Sequence, residues 1–170
     1  MKDIKIEHLS KCYTVRNLGE KDIPQILELC QKNPKYYKHC PPEVSRESIE
    51  KDMTILPPGK TLEDKYYVGF FEDINLVAVM EWIDGYPDDK TAYIGFFMMN
   101  MDFQGKGIGS KIIAEVCECL RGQFSRVRLA YVKGNEQSEH FWLKNRFEKI
   151  GVEKEIESYI VVAMERRLEE

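Results

Sequence analysis

Three glycines at alternate positions, Gly105, Gly107 and Gly109, join an aromatic-rich apolar run, Ala92–Met99 (AYIGFFMM), to a strongly amphipathic one, Ile108–Leu120. The first run predicts a strand. The second carries Ile108, Ile112, Ile113, Val116, Cys117 and Leu120 at helical spacing, with Lys111, Glu115 and Glu118 opposite, and predicts a helix. Few arrangements tolerate such a turn. Glycines there let the backbone take a positive φ and come close to a ligand. The helix start beyond them leaves N–H groups free at the positive end of its dipole. A strand, a glycine turn and a helix start together make a site for an anion of the pyrophosphate kind, to which Lys106 and Lys111 add charge.

Around this centre the pattern alternates. Cys12–Arg16 reads as a strand. Lys21–Lys32 reads as a helix with Ile23, Ile26, Leu27, Leu29 and Cys30 on its apolar side, Asn33–Pro42 as a loop, and Glu43–Ile55 as a second helix halted by Pro57-Pro58-Gly59. Tyr66–Glu72 and Leu76–Ile83 form a hairpin about Asp73-Ile74-Asn75. Arg126–Val132 is a strand, Glu136–Asn145 a helix, and Phe147–Ile150 with Tyr159–Met164 close the fold as strands. The order β-α-α-β-β-β-α-β-α-β-β, hairpins plus one late βαβ unit, predicts an α/β fold with a mixed sheet and helices on both faces.

The chain of 170 residues shows neither repeat nor linker and reads as one domain over 1–170, with 1–10 as an N-terminal extension. Its net charge of −4 argues against nucleic acid or an anionic membrane as the main partner. No apolar run approaches a membrane span, and the start, MKDIKIEHLSKCYTV, lacks the apolar core of a signal peptide, so a cytoplasmic protein is expected. Five cysteines without a CxxC pair read as free thiols. Cys117 and Cys119 would project about 200° apart on a helix, and the three histidines lack ligand spacing, so no metal site is expected.

Two other phosphate-binding motifs fail on spacing. A P-loop needs Gly-Lys followed by Ser or Thr, and Lys106 is followed by Gly107. A dinucleotide fingerprint wants Gly or Ala where Ser110 stands, and an acid at the end of the next strand, which closes instead on Val132-Lys133-Gly134-Asn135. In contrast, Gln104-Gly105-Lys106-Gly107-Ile108-Gly109 matches the Q/R-x-x-G-x-G/A signature of the GNAT superfamily of acyl-CoA N-acyltransferases. The segment Asn135-x-x-Ser138-x-x-Phe141-Trp142-x-x-x-x-Phe147 resembles that family's N-x-x-A-x-x-F-Y-x-x-x-G-F stretch. The element order agrees over nearly the whole chain. The resemblance implies a mostly antiparallel sheet of about seven strands, and acetyl-CoA as the acyl donor to a primary amine on a small molecule or a peptide.

Carried over position by position, the resemblance has the strands flanking the glycine turn splay to admit the pantetheine arm. Phe97, Met98 and Met99 would offer it backbone groups, with the Met99 N–H polarising the thioester carbonyl. The backbone from Gly105 through Lys106, Gly107, Ile108 and Gly109 to Ser110, after Gln104, would cradle the pyrophosphate. Asn135 would bond the arm or cap its helix, and Phe141 would line the site.

Two positions depart from the family. Its usual strand carboxylate is missing, and Tyr93 and Ala130 stand in the corresponding places, so the nearest candidate base is Glu81 on the neighbouring strand. Its usual tyrosine, the proton donor to the leaving thiolate, aligns with Trp142, whose indole donates a hydrogen bond but does not give up its proton at neutral pH. Trp142 would then pack against the pantetheine or anchor the core, with water protonating the sulfur. The acceptor site would form from Asn33–Pro42, the turn at Pro57–Lys60 and Glu153–Tyr159. There Lys35, Tyr36, Tyr37, Lys38 and His39 could grip an acceptor bearing a carboxylate or phosphate. The two departures leave a second reading, a catalytically weak CoA-binding regulatory module. A nucleotide-binding domain of another kind is a third. The long strands leave room for a homodimer.

Overall fold

The computed structural model describes residues 4–168. Seven strands form one sheet in the order β1-β2-β3-β4-β5-β7-β6. They are β1 Thr14–Asn17, β2 Lys65–Glu72, β3 Asn75–Asp84, β4 Thr91–Met99, β5 Arg126–Val132, β6 Glu148–Ile156 and β7 Tyr159–Arg167. Every neighbouring pair is antiparallel except β4 and β5. The helices are α1 Ile23–Gln31, α2 Pro34–His39, α3 Arg46–Thr54, α4 Ile108–Leu120 and α5 Glu136–Lys144. This is the mixed, mostly antiparallel fold expected, and α4 and β5 have the bounds that their patterns predict.

Strand alternation sends neighbouring side chains to opposite faces, and two cores result. On one face Val68, Phe70, Ala78 and Met80 meet α4 through Ile112, Ile113, Val116 and Leu120, with Trp142 of α5 beside them. On the other, Tyr67, Phe71, Val79 and Met98 meet Ile23, Ile26 and Leu29 of α1 and Ile49 of α3. The first core spans both halves of the sheet, reaching Val127, Leu129, Val162 and Met164 on β5 and β7. The N-terminal residues from Ile4 onward pack onto it. Ile4 and Leu9 are buried, and Glu115 of α4 accepts hydrogen bonds from the Ser10 hydroxyl at 3.1 Å and the Lys11 N–H at 3.2 Å.

Two segments differ from their sequence reading. Asn33–Pro42, expected as a loop, holds α2. Pro34 sits at the helix start, where a missing N–H costs nothing, and Tyr36 and Tyr37 turn inward against the second core. The strand expected at Phe147–Ile150 begins at Glu148 and runs to Ile156 as a mostly exposed edge. Glu148, Lys149, Glu153, Lys154 and Glu155 along it suit an unpaired sheet edge but hide the alternation by which a strand is read.

Candidate active site

The parallel pairing of β4 and β5 covers only Thr91↔Arg126, Ala92↔Val127 and Tyr93↔Arg128, although β4 continues to Met99 and β5 to Val132. A bulge on the other side of β4 accompanies this opening. The β3–β4 register slips between Glu81 and Trp82, so that Glu81 faces Phe96 while Trp82 faces Ile94. A bulge bends its strand and increases the local twist, which carries the end of β4 away from β5. The two strands that the resemblance expects to splay do so.

The antiparallel ladder decides which backbone groups line this gap. The Asn100 N–H bonds the Val77 carbonyl at 2.8 Å. Alternation then turns the peptide groups of Met98 toward β3 and those of Phe97 and Met99 toward the gap. The Met99 carbonyl accepts hydrogen bonds from Asn33 at 3.0 Å and Gln104 at 3.2 Å, which fixes the strand end and leaves the Met99 N–H as the inward donor. Met98 contributes a side chain buried in the second core.

Beyond β4 the chain turns into α4 through the glycines. Gly105 and Gly107 have φ of 77° and 75°, and a Cβ at either would meet nothing within 4 Å. The requirement for glycine there is conformational, and the space around it is open. Gly107 is the N-cap of α4 and provides no side-chain cap, so among the described residues no side chain caps the first N–H groups of the helix. Gly109 differs in having close neighbours, since a Cβ would lie 3.2 Å from Phe141 and 3.4 Å from Met99, and those side chains would have to give way slightly. The half-buried Ile108 packs against the first core, and the exposed Lys106 stands at the outer side of the turn. The Ser110 hydroxyl accepts a bond from Asn145 at 3.2 Å. The Gln104 amide also donates to Asn33 at 2.8 Å, so its side chain braces the turn against the end of α1 and does not face outward.

Asn135 caps α5. Its Oδ1 accepts from the Ser138 N–H at 3.2 Å, which leaves its amide nitrogen as the group that a ligand could engage. Phe141 stacks on Phe97 with ring centres 5.9 Å apart. Trp142 is 8% exposed and meets Phe141 edge-on at 4.9 Å and Phe147 at 5.1 Å. Its surroundings are those of a core anchor.

On the opposite face, a cavity of about 380 Å³ reaches β4 at Gly95 and Phe96, just past the last paired position. Its walls are Tyr36 and Tyr37 of α2, the turn at Pro41-Pro42, Tyr67 of β2 and Phe96. Burial pushes all three phenols well above their ordinary range, so they remain neutral hydrogen-bonding groups. Cys40 and Tyr159 join the cavity rim to the start of β7 through a contact of 3.5 Å.

Two carboxylates line the cavity. Glu81 lies over Gly95, where a Cβ would come within 2.0 Å of its Oε2, so only a glycine admits it. Its other oxygen, Oε1, accepts from Lys65 Nζ at 3.2 Å, and Lys65 also donates to the Ile55 carbonyl at 2.7 Å. The lysine and glutamate side chains are 3% and 12% exposed. Desolvation raises the Glu81 carboxyl above its ordinary value against the opposing pull of Lys65. Asp52, on α3, is likewise raised by desolvation, with Lys65 and Lys51 pulling the other way.

Of the sequence-derived candidates, the structure gathers Phe97, Met99, Phe141 and the 104–110 turn around the gap and sets Glu81 beneath it. The grip expected from Lys35 and Lys38 is absent from the cavity wall. Both side chains are exposed, and α2 presents its tyrosines instead. Asp52 is a site residue that the sequence reading missed. This exposed carboxylate stands at the cavity three positions after the buried Ile49, and that spacing was the available signal.

Comparisons with known proteins agree with this fold. The model of the family described as the acetyltransferase (GNAT) family matches residues 24–147. No curated protein matches the chain in sequence. Among solved structures, an acetyltransferase from Thermus thermophilus is similar at 16% identity, with a TM-score of 0.74 over 94% of this chain and 99% of that one. An acetyl transferase from Salmonella typhimurium that modifies the N-terminal serine of 50S ribosomal subunit protein L7/L12 shares 20% identity, with a TM-score of 0.73 over 95% and 98%. The PaiA N-acetyltransferase from Thermoplasma acidophilum, in complex with coenzyme A, shares 20% with a TM-score of 0.63 over 90% and 97%. Among the described residues, no helix is long and apolar enough to cross a membrane.

Proposed function

The chain belongs to the acetyltransferase (GNAT) family, and from that premise we propose that it is an N-acetyltransferase using acetyl-CoA to acetylate a primary amine held in the cavity beneath Gly95. The observation that carries this reading is the placing of three features along one strand and its exit, namely the open end of the β4–β5 pair, the uncapped glycine start of α4 beyond it, and the cavity carrying Glu81 that reaches β4 at Gly95 and Phe96.

Acetyl-CoA, when bound, supplies an activated acyl thioester. The residues divide the remaining work. The N–H groups at the start of α4 and of Gly105 hold phosphate oxygens at the positive end of the helix dipole. Phe97 and Met99 turn peptide groups into the gap, where they would hold an extended arm by strand addition, and the Met99 N–H would polarise the thioester carbonyl. The Asn135 amide and the Phe141 ring border the same channel. Glu81 Oε2 accepts the proton that an ammonium must lose before its nitrogen can attack, and the raised carboxyl is a stronger base for that task than an ordinary glutamate. Trp142 supports the channel wall through Phe97 and Phe141, and solvent protonates the departing sulfur.

A second reading, a CoA-binding regulatory module with little turnover, draws support from the ion pair that occupies one oxygen of Glu81 and from the burial of Trp142. Thiol release separates the two. With acetyl-CoA and a broad panel of amines, release above the amine-free rate supports the transferase. Binding of CoA without release from any amine would favour the module, and absence of CoA binding would end both.

A further inference from the structure

The cavity under β4 has a chemistry of its own, and it narrows the acceptor. Among the described residues, its charged lining residues are Asp52 and Glu81, and neither lysine nor arginine lines it. Lys65, which reaches Glu81 from beside the cavity, is already committed to Glu81 Oε1 and the Ile55 carbonyl. Glu81 Oε2 remains over Gly95, toward β4. Apart from Ser48 and Cys40, the rest of the wall is aromatic or apolar. Tyr36 packs edge-on against Tyr37 at 4.9 Å and against Phe96 at 5.9 Å. The volume, about 380 Å³, is that of a small-molecule site.

Such a lining favours a cation by carboxylate and aromatic contacts together. It disfavours an anion, because a carboxylate next to the reacting nitrogen would face Asp52 or Glu81, and among the described residues no lysine or arginine lines the wall to receive it. Resting on the N-acetyltransferase reading above, we propose that the acceptor is a small primary amine that enters as a cation on an aromatic or apolar body and bears no carboxylate beside its amino group. Asp52 acts as the residue that sets this specificity, by holding the ammonium and repelling the acid.

Phenethylamine, phenylalaninamide and phenylalanine test this by thiol release with acetyl-CoA, in the native protein and in Asp52→Asn. The native protein should acetylate the amine and the amide, with kcat/KM for the free acid at least about tenfold lower than for the amide. In Asp52→Asn that gap should narrow whatever the absolute rates, since the intrinsic basicity of each amine cancels when the ratio is compared between the two proteins. Equal use of acid and amide, an unchanged gap in Asp52→Asn, or acetylation of none of the three by a protein that still binds CoA would each overturn the proposal. A thermal shift with CoA on the same samples keeps the two readings apart. Without that shift the transferase reading itself fails, whereas a normal shift with no discrimination sinks only the acceptor assignment.

Discussion

Glu81 owes its position to two neighbours that act on different atoms, Lys65 taking Oε1 and Gly95 clearing room for Oε2, while the surrounding protein removes water. Desolvation raises its carboxyl above the ordinary glutamate value, and the sign of the kinetic consequence follows. A base works only when ionised, so kcat/KM should fall on acidification at a higher pH than an exposed glutamate would cause. Glu81→Gln should erase that acid limb and slow turnover by roughly 10²–10⁴-fold; a pH–rate profile unchanged by the substitution would remove Glu81 from the chemistry. Trp142 carries the opposite expectation. Its contacts with Phe97, Phe141 and Phe147 are packing contacts, so Trp142→Phe should cost roughly 1–3 kcal/mol of stability and leave kcat intact. Loss of turnover at an unchanged melting temperature would contradict this and place the indole at the reacting centre.

At the scale of elements, the turn into α4 separates two uses of glycine. Gly107 has a left-handed φ and open surroundings, while Gly109 has close neighbours. Gly107→Ala should therefore cost about 1–2 kcal/mol through backbone strain alone, and raise the KM for acetyl-CoA because the helix start shifts. Chemical denaturation and an acetyl-CoA titration check both parts, and an unchanged KM would mean that the turn does not hold the donor. This turn was legible in the sequence because a strand period, alternating glycines and a helix period follow one another without interruption. The α4 and β5 bounds were legible for the same reason. The short α2 was not, since Pro34, Lys35 and Lys38 read as loop and only burial of Tyr36 and Tyr37 against the second core makes it a helix. The cavity under β4 was less legible still. It is assembled from α2, α3, β2, β3 and β4, and Asp52 and Glu81 meet in space, 29 positions apart in a chain whose local patterns do not encode that meeting.

For the molecule as a whole, the β4–β5 opening is a seam. Three residue pairs join the two halves of the sheet there, and the first core crosses the seam on the α4–α5 face. On the other face the second core draws its sheet residues from β2, β3 and β4, while Arg128 and Glu165 pair across β5 and β7 at 2.6 Å. A ligand lying along the seam would therefore add contacts between halves that the chain itself joins weakly. At about 100 times its dissociation constant, such a ligand adds roughly 2.7 kcal/mol. For a chain of this size that corresponds to roughly 5–10 °C in melting temperature. Acetyl-CoA and CoA should both produce the shift, ATP and NAD should not, and amide exchange should slow at Phe97, Met99 and 105–110 more than along β1 and β2. Protection by ATP or NAD without CoA would assign the glycine turn to another nucleotide. A CoA shift whose slowed amides lay away from β4 and the 105–110 turn would place the ligand elsewhere, and the seam would then be a structural opening with no part in holding the donor.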